Sequence, residues 1–154
     1  VSTGRTTPIW LAHHWPDQYD RCVVIGHRHV CRRCTFMYPI AFVVTGLSLA
    51  GLALPSPWSQ IALAVLPLPA LVEFVGEHRR WWGYSAPRQA TLGTLQGIGM
   101  GVGFGRYLET PTDPWFWVIA VGYSLIAFVA AVTAPRSVDP VEAGEPSESP
   151  DGAG

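Results

Sequence analysis

The sequence predicts an all-α integral membrane protein, with four transmembrane helices preceded by a short Cys/His-rich amino-terminal segment. Three observations point there. Of the 154 residues, 49% are hydrophobic and 14% charged, against roughly 25% charged in an average soluble domain. Charges are also missing in blocks: residues 34–72, 89–105 and 114–135 contain none. The cationic residues, ten arginines and no lysine, fall almost entirely on one side of the expected spans.

Crossing a bilayer core of about 30 Å takes roughly 20 helical residues. Pro55, Ser56 and Pro57 divide the first uncharged block, so its arms form a first span over 35–54 and a second over 58–76. The second reaches full length only by including Glu73. A third span is expected over 90–107, shorter than the rest, and a fourth over 114–134. A soluble bundle would need a polar stripe on each helix, and residues 42–53 and 118–132 offer only Thr, Ser, Gly and Tyr for one. Four spans place Arg5, Arg21, Arg28, Arg32, Arg33, Arg79, Arg80, Arg88 and Arg136 on one side and Arg106 alone on the other. The positive-inside rule then makes both termini cytoplasmic, and Trp58, Trp81, Trp82, Trp115 and Trp117 lie near span ends, at headgroup level. The expected partner is the lipid bilayer, together with a membrane protein or a second copy of the chain. The formal net charge of -1 offers no polybasic field for nucleic acid.

Residues 136–154 hold five acids and one arginine among Pro, Ser, Gly and Ala. That composition predicts a disordered, solubilising acidic tail.

The chemistry concentrates at the other end. The string HHWPDQYDRCVVIGHRHVCRRC contains His13, His14, Cys22, His27, His29, Cys31 and Cys34, which include every cysteine and four of the five histidines. Three cysteines cannot form a fully paired disulfide framework. Thiolate and imidazole together are the donors that zinc and other late transition metals prefer. Cys31 and Cys34 have the two-residue gap by which one turn aims two sulfurs at one ion, and Arg32 and Arg33 favour the thiolate form by their charge. Cys22 is the expected third ligand. The fourth comes from His14 or His29, ahead of His13 and His27. In an extended segment His27, His29 and Cys31 share a face, which favours His29 beside Cys31. Residues 1–34 are therefore expected to form a cytoplasmic metal-binding segment, clamped against the first span by zinc or another transition metal.

The run of His13, His14, Pro16, Asp17, then Cys31-Arg32-Arg33-Cys34-Thr35 and Tyr38, resembles a family of small bacterial multi-span membrane proteins of unknown function. Members carry a His or Cys followed by His, then a Cys-x-Arg-Cys-Thr-x-x-Tyr motif before a membrane helix. Pro69, Glu73, Ser85, Arg88, Thr91, Gly93 and Gly97 resemble the family's second block. The resemblance covers about residues 13–105 and departs where His13 replaces the family's commoner Cys, which raises His13 as a ligand. It implies a bacterial inner-membrane protein with a metal or redox cluster, and no reaction. The first apolar run begins too deep in the chain for a secretory signal peptide, and Val1 is expected to reflect a GTG start codon of a complete bacterial product.

Two further features concern the membrane body. Gly93, Gly97, Gly101 and Gly105 recur every fourth residue and so share one helix face, where another backbone can approach closely. A neighbouring span is the expected partner, ahead of a second copy. Glu73 and Arg88 flank the loop between the second and third spans, and an acid at a span end usually finds a partner; an ion pair with Arg88, or with Arg79 or Arg80, is expected. Pro67 and Pro69 should bend the second span just before Glu73.

No nucleophile, base and oxyanion set is visible. The sequence therefore favours an accessory or partner-binding membrane subunit with a structural or regulatory metal site. One alternative is a membrane thiol–disulfide oxidoreductase using Cys31 and Cys34, with Cys22 as resolving thiol. A covalent haem is disfavoured because Thr35, not His, follows Cys34. The other alternative is a metal-ion carrier with Glu73 on its path.

Overall fold

The computed structural model describes residues 16–134. His13, His14 and the acidic tail lie outside these residues. A turn of 3-10 helix, Pro16–Arg21, leads into strand β1, Cys22–Ile25, which pairs antiparallel with β2, Arg28–Cys31. Gly26 and His27 make the connection. Gly26 has φ +63°, the left-handed value that a tight two-residue hairpin demands at its first position and that only glycine adopts without cost.

Helix α1, Arg32–Leu47, follows β2 with no linker and continues as a π-turn over Ser48–Leu52. It begins three residues before the expected Thr35, so Cys34 lies inside its first turn. Helices α2, Trp58–Val65, and α3, Leu68–His78, are two halves of one rod, broken at Leu66 and Pro67. The break has a covalent cause: Pro67 has no N–H to continue the ladder, and its ring crowds the preceding turn. The Ala64 carbonyl at the break is capped by the Tyr123 hydroxyl. Helix α4, Ala86–Glu109, is longer than the expected third span. Its 24 residues reach about 36 Å at 1.5 Å per residue. Helix α5, Pro114–Val132, starts at Asp113, whose carboxylate accepts from the Trp115 N–H at 3.0 Å and caps the free helix end.

Three stretches are long and apolar enough to cross a membrane: Arg32–Leu52, Trp58–His78 and Pro114–Val132. Helix α4 has the length, but its glycines, glutamines and threonines dilute its apolar character. For α5, only 6% of the span is buried inside the protein, and Phe128, Val118 and Val121 are each about 60% exposed. A continuous apolar face of that kind is strongly disfavoured in water.

Helix α4 is the hub. Its glycines meet α1 in register: Gly93 lies over Arg33, Gly97 over Met37, Gly101 over Ala41 and Val44, and Gly105 over Ser48. That order makes the two helices parallel neighbours. Thr45 adds a hydrogen bond across the seam to the Gly101 carbonyl at 3.2 Å. A second glycine row faces elsewhere, with Gly99 against Leu66 and Pro67 and Gly103 against Leu63. The glycine stripe thus packs inside the chain. Arg79, at the end of α3, donates to Thr133, at the end of α5, at 3.0 Å. The chain therefore enters and leaves the helical body at the hairpin end, after four passes. Of the eight arginines among the described residues, all but Arg106 stand at that end.

A methyl group at Gly97 would lie 2.5 Å from the Met37 carbonyl oxygen and 3.1 Å from its Cα, while one at Gly122 meets nothing within 4 Å. Thermal unfolding in detergent should therefore separate the two alanine variants. Gly97→Ala should lose about 1–3 kcal/mol by forcing two backbones apart. Gly122→Ala should be neutral or gain up to about 1 kcal/mol from helix propensity.

Candidate functional site

The hairpin does for the cysteines what spacing alone left open. Cys22 and Cys31 are direct partners across the ladder, and Val24 and His29 are the next pair on that face. Cys22, Cys31 and His29 therefore share one side of the ribbon, whereas His27 occupies the exposed turn. Cys31 closes β2 and Cys34 sits one helical turn further, where the Cys31 and Cys34 side chains hydrogen-bond to each other. Cys31 is thus the central thiol, with one neighbour across the sheet and another along the helix.

Burial sets their character. Cys22 is 6% exposed and Cys31 9%. Burial pushes the Cys22 thiol up from its ordinary pKa, the nearby Cys31 and Asp20 push it further, and Arg32 opposes them. The protonated form of Cys22 is therefore favoured. Arg32 also fastens the hairpin, donating from Nη2 to the Cys22 carbonyl at 3.3 Å. The His29 ring stacks on Tyr19 with centroids 3.9 Å apart. Among the described residues no group of three or more His, Cys, Asp or Glu side chains stands ready as a metal site. His13 and His14 fall outside those residues.

Directly beneath the thiols lies a network that the sequence foreshadowed only in part. Glu73, 2% exposed, accepts from Arg88 Nε at 3.1 Å and from Arg33 Nη2. Gln89 Nε2 donates to both Glu73 oxygens, at 2.8 and 3.1 Å, and to Glu77 at 3.0 Å. Gln89 in turn accepts from Arg33 Nε at 2.7 Å. Two carboxylates and two guanidiniums balance, which is the condition under which buried charge is tolerated. Each Glu73 oxygen accepts two hydrogen bonds, while Oε1 of Glu77 is buried without a partner among the described residues.

Of the partners expected for Glu73, Arg88 is in place, while Arg79 binds Thr133 instead. Arg33, Gln89 and Glu77 were not foreseen. The four-residue spacing of Glu73 and Glu77 on one helix face was the available signal; Arg33 lies 40 residues away, and only the helix register brings it there. Arg33 also ties the two sites together, because it stands next to Cys34 in sequence and holds Glu73 in space. Tyr84 adds a second tie. Burial raises its phenol pKa, with Asp20, Arg21, Arg32 and Glu77 all close enough to act on it, and Arg21 lies over its ring at 5.5 Å.

The opposite end has its own polar lock, with no sequence forewarning. Arg106 donates from Nε and Nη2 to Asp113 Oδ2, at 2.9 and 2.6 Å, and from Nη1 to Ser59 Oγ at 2.7 Å. It joins the ends of α2, α4 and α5.

No protein-family model, no curated protein and no solved structure matches the chain.

Two measurements check this geometry. Glu73→Leu removes the acid and leaves Arg33 and Arg88 unbalanced, so its unfolding free energy in detergent should fall by about 3–5 kcal/mol; an unchanged midpoint would mean that the network holds nothing. In the metal-free protein at pH 7.5, iodoacetamide should modify Cys22 more slowly than free cysteine. Its rate should keep rising above the ordinary thiol pKa, because a raised pKa withholds the reactive thiolate.

Proposed function

We propose that this chain is an integral membrane protein that crosses the bilayer four times, carrying a Cys/His metal centre at its cytoplasmic amino-terminal end. Its role is that of an accessory or partner-binding subunit in a bacterial inner membrane, and the metal centre is structural or regulatory. The observation that carries the metal centre is the position of Cys31, opposite Cys22 in the hairpin and one turn before Cys34 in the first turn of α1. Three soft donors on so short a stretch, two of them buried, suit zinc better than a hard cation. The remaining donor comes from His14 or His13, or from His29 if its ring leaves Tyr19. A bound zinc would supply cross-linking, fixing the hairpin to the helix where the core is too small to do so. The membrane orientation is supported by seven of the eight described arginines standing at the hairpin end. The resemblance to small multi-span bacterial proteins points the same way.

A second reading has one observation behind it. The hydrogen bond between the Cys31 and Cys34 side chains also suits a dithiol pair, with Cys22 as the resolving thiol.

Elemental analysis of the detergent-purified protein, combined with its thiol count, separates the two. The metal centre predicts about one zinc per chain, the load of a single four-ligand site, and its loss in Cys31→Ser/Cys34→Ser. A metal-free protein that cycles reversibly between a Cys31–Cys34 disulfide and the dithiol overturns the metal centre in favour of the redox pair.

A further inference from the structure

The end of the helical body away from the hairpin contains a polar cup of about 180 Å³, lined by Ser48, Ser56, Ser59, Arg106 and Glu109 among others. Its walls follow from the backbone. The π-turn at Ser48–Leu52 widens the end of α1, and Gly105 lets Ser48 pack directly against the α4 backbone, since a Cβ there would lie 2.6 Å from the Ser48 Cβ. The Arg106 guanidinium is held rigid by Asp113 and Ser59, which engage three of its N–H groups of the five such a group carries. Two donors remain. Asp113 does not fully cancel this charge, because its other oxygen caps the positive end of α5. Glu109 is exposed, lies one turn from Arg106 on α4, and enters no ion pair among the described residues. The cup therefore presents fixed cationic donors and serine hydroxyls on one side and a free carboxylate on the other.

Depth completes the picture. Trp58, Trp115 and Trp117 stand exposed at this same end, the position of an interfacial aromatic belt. The geometry points to a binding site for a phosphoethanolamine group, supplied by the headgroup of a zwitterionic lipid. The phosphate takes the spare N–H groups of Arg106 and the serine hydroxyls, and the primary ammonium donates to Glu109. A phosphatidylglycerol headgroup has no cation for Glu109, and the quaternary ammonium of phosphatidylcholine has no N–H to donate. The site rests on the membrane placement proposed above and is independent of the metal centre.

The test is competition of lipids for the full-length protein, delipidated in detergent and followed by native mass spectrometry. Phosphatidylethanolamine should be retained about tenfold more tightly than phosphatidylglycerol or phosphatidylcholine of the same chains, one charge-assisted hydrogen bond's worth of discrimination. Glu109→Gln should erase that preference, weakening phosphatidylethanolamine and, with the like charge gone, tightening phosphatidylglycerol, while leaving the unfolding midpoint unchanged, since Glu109 lies outside the Arg106–Asp113 lock. Soluble phosphoethanolamine serves as the second arm. If it displaces the lipid only at far higher concentration, the lipid is the source; if it binds equally well, the group is right and a free solute is its source. Equal retention of all three lipids by the wild type, or a preference that survives Glu109→Gln, overturns the site. A protein that stays soluble without detergent overturns the membrane placement instead.

Discussion

Along the face that meets α1, helix α4 carries four glycines, and the close contact they permit decides where everything else falls. Backbone meets backbone at Met37 and Gly97, and the register of that contact fixes the two ends of the seam. At one end Gly93 sits over Arg33, which places its guanidinium beside Gln89 and Glu73. At the other, Gly105 sits over Ser48, and both line the wall of the polar cup. A bulkier seam would separate the helices and pull both polar sites apart. The same glycines weaken α4 as an isolated helix, so the helix depends on its neighbours for stability.

One rule bears on both polar ends. A charge taken out of water is tolerated when it is paired and its remaining hydrogen-bonding capacity is filled. Glu73 achieves this with two arginines and a glutamine, whereas Arg106 is paired with an aspartate, donates to a serine and keeps two N–H groups spare. Between them the helices carry apolar and uncharged polar side chains, Gln96 and Tyr123 among them. The outcome is a helical body with many apolar side chains on its exterior and a lock at each end. The two locks differ in openness: the Glu73 carboxylate is filled by its partners, with Glu77 Oε1 an unpartnered oxygen beside it among the described residues, whereas the cup around Arg106 retains unused donors and a free acid.

The thiol hairpin is joined to this body through covalent adjacency. Cys31 ends β2 and Cys34 opens α1, so the arginines between them face two ways: Arg32 reaches back to the Cys22 carbonyl and Arg33 reaches into the Glu73 network. Any change at the thiols, whether metal binding or oxidation, acts on the turn that holds Arg33. This gives the amino-terminal segment a mechanical route into the helical body that does not depend on which chemistry the thiols perform.

Blocks without charge, proline pairs and a four-residue glycine period are local properties of the chain, and they made the apolar rods, the kink at Pro67 and the close-packing face of α4 legible in the sequence. So did the concentration of cysteine and histidine, because residue type alone sets donor chemistry. Boundaries were less legible: α1 starts at Arg32 and α4 runs to Glu109 because polar residues at their ends find partners within the fold. Pairings across the fold could not be read at all. Cys22 opposite Cys31 depends on a hairpin register fixed by the Gly26 turn, and Arg33 beside Glu73 or Arg106 beside Ser59 depends on how far one helix slides along another. Those offsets are set by side-chain volumes at the contact, a property of two segments together that neither carries alone.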